Sequence, residues 1–225
     1  GGSDVSDDYL EPFAGGDGVA LDLLFNSHCK NIHINDLDVA IYNFWKNVTE
    51  ETEAFLRKLH DTPVTIEEWY LQQSILENPK KYSSLDHGFA AFFLNRTNRS
   101  GILKAGVIGG KGQTGAYKLD VRFNKADLAK RIEMIGKFAK HIHVYNKDAV
   151  DLLKEVDKLL PKNSLIYLDP PYYVKGQGLY RNFYKHDDHV AIRNVLDSVQ
   201  ANWIVSYDNC PEIKEIYYGY TQDDY

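Results

Sequence analysis

The sequence predicts an α/β fold: a mostly parallel sheet flanked by helices, with a largely helical insert that carries a basic hairpin. Three observations predict it. Short apolar runs alternate with amphipathic helical stretches on both sides of the insert. A glycine turn, Phe13-Ala14-Gly15-Gly16-Asp17-Gly18, joins the first such run to the first helix. Asp169-Pro170-Pro171-Tyr172 directly follows the apolar run 164–168.

The elements follow in chain order. Residues 9–13 read as a strand that enters, through the glycine turn, a helix bearing Val19, Ala20, Leu23 and Leu24. Residues 31–34 form the next strand and end at Asn35-Asp36. Helices are expected over 38–48, with Ile41, Phe44, Trp45 and Val48 on one face, then over 50–60 and over Ile66–Glu77, which Asn78-Pro79 stops. Residues 86–95 read as a helix whose Phe89, Phe92 and Phe93 belong to a core rather than to a base-stacking platform.

From 100 to 124 the texture changes. Gly101, Gly106, Gly109, Gly110, Gly112 and Gly115 punctuate apolar residues, which suits a glycine-tipped hairpin or a mobile loop. Alternation then resumes: helix 126–139, strand 141–145, helix 147–159, strand 164–168, helix 187–199, strand 203–207 and helix 211–218. In such sheets ligands bind beyond the carboxyl ends of the strands, where Gly15, Asp36, Asp148 and Asp169 are expected to gather.

At 225 residues the chain can bury one such core and still hold an insert. No run is long and apolar enough to span a membrane, and no secretory signal opens the sequence. Cys29 and Cys210 form no metal-ligand spacing and no disulfide framework, so no metal is expected and a reducing cytoplasm fits. Neither follows a proline, which disfavours a thiol nucleophile of the cytosine-ring methylase type.

The net charge of −6 argues against nucleic acid, but its distribution argues for it. Between 96 and 131, Arg96, Arg99, Lys104, Lys111, Lys118, Arg122, Lys125, Lys130 and Arg131 are opposed by Asp120 and Asp127 alone. Affinity for DNA follows a local basic surface more than the global balance.

The glycine turn lets backbone approach a ligand and aims amides at it, and Asp36 is placed to hold ribose hydroxyls. No Gly-Lys-Ser/Thr follows, so this is not a P-loop, and Asp17 would repel a phosphate while tolerating a sulfonium. In Asp169-Pro170-Pro171-Tyr172 neither proline has an N–H and both have fixed φ, so the carbonyls are held stiffly. A carboxylate and an aromatic ring reach one point, an arrangement suited to a planar ring with an amino group.

Together with Phe92-Phe93-Leu94-Asn95-Arg96-Thr97 and the segment 178–184, these motifs resemble the DNA adenine methylase (Dam-like) family of S-adenosylmethionine-dependent methyltransferases. The resemblance runs from about Tyr9 to about Tyr218. It implies a Rossmann-like methyltransferase sheet, with residues 1–46 and 126–225 as catalytic domain and 47–125 as target-recognition insert. It implies that Asp169 and the Pro170 carbonyl accept hydrogen bonds from an adenine amino group while Tyr172 stacks on the ring. The base is then flipped out of duplex DNA, and neither metal nor covalent intermediate is required.

Phe13, Ala14, Gly15, Gly16, Asp36, Asp148 and Asp169 are the implied cofactor contacts, with Asp148 equally readable as a helix-start residue. Asn95, Arg96, Arg99, Lys104, Lys111, Lys118, Lys175 and Arg181 are the candidate DNA contacts. The resemblance implies a cytoplasmic protein, bacterial or phage-encoded. A cognate restriction endonuclease as partner, the recognition sequence and the oligomeric state are left open. So are an RNA adenine, another amino acceptor, or a nucleic-acid-binding module without catalysis. The family pattern also has a Gly-Lys-bearing segment upstream and closing strands downstream, which leaves open whether the sequence is a fragment or omits disordered parts.

Overall fold

The computed structural model describes residues 6–15, 18–174 and 184–224. Gly16, Lys175 and Arg181, named above as candidate contacts, lie outside the described residues, as do Asp17 and most of the aromatic segment 178–184.

The chain divides into two compact units, one built from residues 1–37 and 145–225 and the other from 38–144. A five-stranded sheet has the order β3-β2-β1-β4-β5. Its strands are β1 (Ser6–Glu11), β2 (Cys29–Asn35), β3 (Ile142–Tyr145), β4 (Leu165–Leu168) and β5 (Asn202–Val205). β1 pairs parallel with β2, Leu10 opposite His33, and parallel with β4, Leu10 opposite Ile166; β4 pairs parallel with β5. With β1 between β2 and β4, the carboxyl ends of these three strands are neighbours, which sets Phe13, Asp36 and Asp169 along one edge.

In the first unit α1 (Val19–Phe25), α7 (Ala149–Leu159), α8 (His186–Leu196) and α9 (Pro211–Ile216) accompany the sheet. α7 places Leu152, Leu153 and Val156 on one face, and these join Leu10, Ile166, Leu168, Ile192 and Leu196 in a single core. One polar cluster is buried within this unit. His33 Nε2 lies 2.8 Å from Asp8 Oδ2, His33 Nδ1 lies 2.9 Å from the Tyr145 hydroxyl, and Asn31 Nδ2 donates to Asp8 at 2.9 Å. Buried polar groups persist in a core when they are mutually satisfied in this way.

The second unit holds α2 (Val39–Glu50), α3 (Thr52–Asp61), α4 (Ile66–Glu77), α5 (Ser84–Thr97) and α6 (Lys125–Lys137). Each of α2, α4, α5 and α6 starts at a residue whose side-chain oxygen accepts a first-turn amide: Asp38, Thr65, Ser83 and Asn124. Ser83 and Asp86 complete a reciprocal capping box. Phe44, Phe55, Phe89, Phe92, Phe93 and Phe123 pack ring on ring with centroids 5.2–5.8 Å apart in their closest pairs, so the expected core role of the α5 phenylalanines holds. At Gly88 a Cβ would lie 2.5 Å from the Asn43 carbonyl carbon, so α5 can approach α2 this closely only with glycine there.

The expected basic hairpin does not form. Residues 102–124 run as successive turns, and the isolated antiparallel bridge Asn98–Val107 joins no strand pair. Gly101, Gly109 and Gly110 adopt positive φ, which breaks the extended geometry a ladder needs. Side chains satisfy the backbone instead. Gln113 Nε2 donates to the Ile108 and Gly110 carbonyls, and Asn98 Nδ2 to those of Ile102 and Leu103. No helix among the described residues is long and apolar enough to cross a membrane.

Candidate active site

β1 ends at Glu11, and the chain turns through Pro12, Phe13 and Ala14 to Gly15, which sits at a φ of +51° with nothing among the described residues, its chain neighbours aside, within 4 Å of where a Cβ would stand. The turn is tied to the end of β2. Ala14 N–H donates to the Asn35 carbonyl at 3.0 Å, and Gly15 N–H donates to Asp36 Oδ2 at 3.0 Å. Asn35 is wholly buried. Its side-chain amide donates to the Pro12 and Lys147 carbonyls and accepts from Lys147 N–H, so one side chain fastens the loops after β1, β2 and β3.

Asp148 stands at the start of α7, where its Oδ1 accepts from the Val150 and Asp151 amides. It therefore serves as an N-cap, and its negative charge lies where the helix dipole favours it. Burial raises the Tyr184 phenol pKa, and the carboxylates of Asp148, Asp188 and Asp36 raise it further. Tyr184 thus stays a neutral hydroxyl close to both candidate cofactor carboxylates. Its ring meets Phe13 edge-on at 5.7 Å. The sequence placed Tyr184 among several loop aromatics without separating it from them, and no periodicity marks it. Position relative to Asp36 and Asp148 does.

Asp169 begins the loop after β4. Ser206 Oγ donates to Asp169 Oδ1 at 3.0 Å and lies 3.0 Å from the Tyr167 hydroxyl, while Ser206 N–H donates to the Leu168 carbonyl at 2.9 Å. Pro170 and Pro171 are buried and Tyr172 is half-buried. The Asp169 charge is the largest influence raising the Tyr172 pKa, with burial adding to it, so the ring stays a neutral phenol at ordinary pH. Beyond it, Tyr173 N–H donates to Asp208 Oδ1 at 2.8 Å and Val174 N–H to Asp208 Oδ2 at 2.9 Å. Ser206 and Asp208 escaped the sequence reading. The available signal was the pattern already used for Asp169, a carboxylate just past an apolar strand.

The candidate DNA contacts within the described residues all fall in the second unit. Asn95 and Arg96 occupy the last turn of α5, and Arg99 begins the next turn. Asn95 Nδ2 donates to the Gly101 carbonyl, and Lys118 Nζ donates to the Gln113 and Gly115 carbonyls. Lys111 Nζ lies 5.8 Å from the Tyr70 ring centroid. Arg96 is half-buried with its pKa lowered, first by burial and then by Arg131 and Arg122. Arg122 spans the end of α5 by donating to the Asn95 and Asn98 carbonyls.

The chemistry of the residues in the first unit suits S-adenosylmethionine. The space beside Gly15 admits close backbone approach, Asp36 offers an acceptor for hydroxyls, and Phe13 and Tyr184 offer aromatic faces.

The chain resembles known proteins in sequence. The chain is similar to the type II methyltransferase M.MjaIII of Methanocaldococcus jannaschii, with 24% identity over 178 residues. The aligned stretch is 73% of this chain and 58% of that relative, so the chain spans less than two thirds of its length. The model of one family matches residues 3–222. The chain belongs to the D12 class N6 adenine-specific DNA methyltransferase family.

Proposed function

We propose that this chain transfers a methyl group from S-adenosylmethionine to the exocyclic N6 amine of an adenine flipped out of duplex DNA. The observation that carries the proposal is Asp169-Pro170-Pro171-Tyr172 at the carboxyl end of β4, with the Asp169 carboxylate oriented by Ser206 Oγ at 3.0 Å. The bound cofactor supplies an electrophilic sulfonium methyl. Everything else is done by the chain's own groups.

The adenine amine is a poor nucleophile because its lone pair is delocalised into the ring. Asp169 accepts a hydrogen bond from one of its N–H groups and the Pro170 carbonyl from the other, which turns the nitrogen towards tetrahedral geometry and leaves its lone pair facing the sulfonium methyl. Tyr172, kept neutral beside Asp169, stacks on the base. Catalysis is positioning and electrostatics. Phe13, Ala14, Gly15, Asp36 and Asp148 hold the cofactor, Asp36 through ribose hydroxyls.

The insert 47–125 supplies target recognition, with Asn95, Arg96, Arg99, Lys104, Lys111 and Lys118 toward the DNA backbone. Their grouping in the segment 95–118, which holds no Asp or Glu, supports that role. The name of the M. jannaschii relative supports the transferase reading.

The test is mass spectrometry of nucleosides from unmethylated duplex DNA incubated with the protein and S-adenosylmethionine, beside an Asp169→Ala control. New N6-methyladenine absent from the control is the expected result. No methylated base from a protein that binds cofactor overturns the assignment of acceptor.

A further inference from the structure

We propose that Asp208 is a positioning residue that fixes the catalytic loop by taking both backbone amides that follow Tyr172. The kinetic part of this inference rests on the methyl-transfer reading above; the structural part does not.

The loop has an intrinsic weakness. Pro170 and Pro171 carry no N–H, so two consecutive residues of the motif cannot donate to a neighbouring strand. The next amides that could anchor the chain are those of Tyr172, Tyr173 and Val174. One carboxylate, Asp208, accepts from Tyr173 at 2.8 Å and from Val174 at 2.9 Å, an oxygen for each. Such charge-assisted bonds are shorter and stronger than neutral ones.

Asp208 is itself fixed. Two residues earlier, Ser206 N–H continues the β5-to-β4 ladder by donating to the Leu168 carbonyl at 2.9 Å, and its hydroxyl holds Asp169. The segment 206–208 therefore grips the motif at its first residue and just past its last. Tyr173 is pinned from the other side as well. Its ring packs 5.2 Å from that of His189, and its hydroxyl lies 3.1 Å from His186 Nδ1. With both flanks held, the Pro170 carbonyl and the Tyr172 ring cannot drift relative to Asp169.

The experiment uses the intact chain as wild type, Asp208→Asn and Asp208→Ala. Asparagine keeps one acceptor and turns an NH2 toward the other amide. Deuterium exchange of the peptide covering residues 168–174 reads the clamp directly, and single-turnover methylation of unmethylated duplex DNA reads its consequence. We expect Tyr173 and Val174 to exchange faster in both variants, most in Asp208→Ala. A misplaced reacting group lowers the transfer rate by about tenfold in Asp208→Asn and about a hundredfold in Asp208→Ala. S-adenosylmethionine affinity by calorimetry stays within about twofold, because the cofactor contacts other than Asp169 lie on other loops and Asp169 keeps its bond from Ser206.

Unchanged exchange overturns the clamp. Faster exchange with undiminished turnover overturns the positioning role. A fall in cofactor affinity as large as the fall in rate also overturns it, since it marks general damage to the fold. Where Asp208→Ala does not fold, Asp208→Asn decides alone. A wild type that makes no N6-methyladenine overturns the methyl-transfer reading and the kinetic role with it, while exchange still decides whether the clamp exists.

Discussion

Gly15 donates its backbone N–H to the Asp36 carboxylate at 3.0 Å, which makes the glycine turn and the residue assigned to the ribose one mechanical piece. Asp36 thus has two tasks, shaping the turn and receiving the ligand. Asp36→Ala removes both, and the loss of a charged hydrogen-bond acceptor costs about 1.5–3 kcal/mol, or roughly ten- to a hundredfold in affinity. Asp36→Asn, which keeps an acceptor for Gly15, weakens binding less. Calorimetric titration with S-adenosylmethionine measures both, and an unchanged affinity in Asp36→Ala removes Asp36 from the cofactor site.

Asp169→Ala abolishes methyl transfer while leaving cofactor affinity largely intact, because its carboxylate acts on the acceptor base. Removing one preorganised electrostatic partner lowers a rate by about 10²–10³. Paired turnover and binding assays check this. Residual turnover within tenfold of wild type would assign the amine to another acceptor.

Much of this fold is legible in the sequence where a stop or cap is chemically explicit. The helix Ile66–Glu77 forms at its expected bounds, since Thr65 caps its start and Asn78-Pro79 ends it. β5 is shorter than the alternation of apolar residues suggests, closing at Val205 instead of 207. Ser206 N–H still pairs with the Leu168 carbonyl, and from there the side chains of Ser206 and Tyr207 bond to Asp169 and, at 3.0 Å, His189. The place of Asp208 just past an apolar strand was legible, but its role was not, because its partners are backbone amides 35 and 34 residues away, which no side-chain pattern encodes. The turns after α5 misled for a related reason, as apolar residues among glycines look like strands whenever positive φ is not foreseen.

His189 is fully buried, and burial lowers its pKa, against the opposing pull of Asp188 and Asp208 and with a small further lowering from His186. Its Nδ1 meets the Tyr207 hydroxyl, and Nε2 has no hydrogen-bond partner among the described residues. The folded state therefore takes up this proton at lower pH than the unfolded chain does. Above the ordinary histidine pKa of 6.5 the group leaves stability unaffected. Below it the unfolded state gains a proton that the folded state refuses, and stability falls until the depressed pKa is passed. Between about pH 7 and about pH 5 the wild type should lose more melting temperature than His189→Gln. Parallel curves would refute a depressed His189.

Cys29 is buried in β2, and burial, with Asp8 nearby, pushes its thiol pKa up to about 11. At about pH 8 only on the order of one thiol in a thousand is ionised, and the thiolate is the reactive form. Iodoacetamide should leave Cys29 unmodified in the native protein and alkylate it after denaturation, as intact and peptide masses report. Rapid native labelling would contradict its burial.

Gly88→Ala tests the α2–α5 contact. Its Cβ would meet the Asn43 and Phe44 backbone at 2.5–2.6 Å, so the helices must separate. Overpacking of this kind costs about 1–3 kcal/mol, measurable as a lowered denaturant midpoint. An unaltered midpoint would mean that the crossing is looser than these distances.

The turns between α5 and α6 are held at points instead of along a ladder. Trp69 Nε1 grips Asn98 Oδ1 at 2.6 Å, Gln113 staples two carbonyls, and Arg122 closes the end of α5. A strand pair ties each residue to a register, so that one inserted residue turns every later side chain to the opposite face. Spot anchoring has no register to lose. Exposed residues between the staples, unlike the buried Val107, Leu119 and Phe123, can be exchanged singly while the aromatic helices beneath keep their packing, so the surface chemistry of this segment can diverge faster than its scaffold.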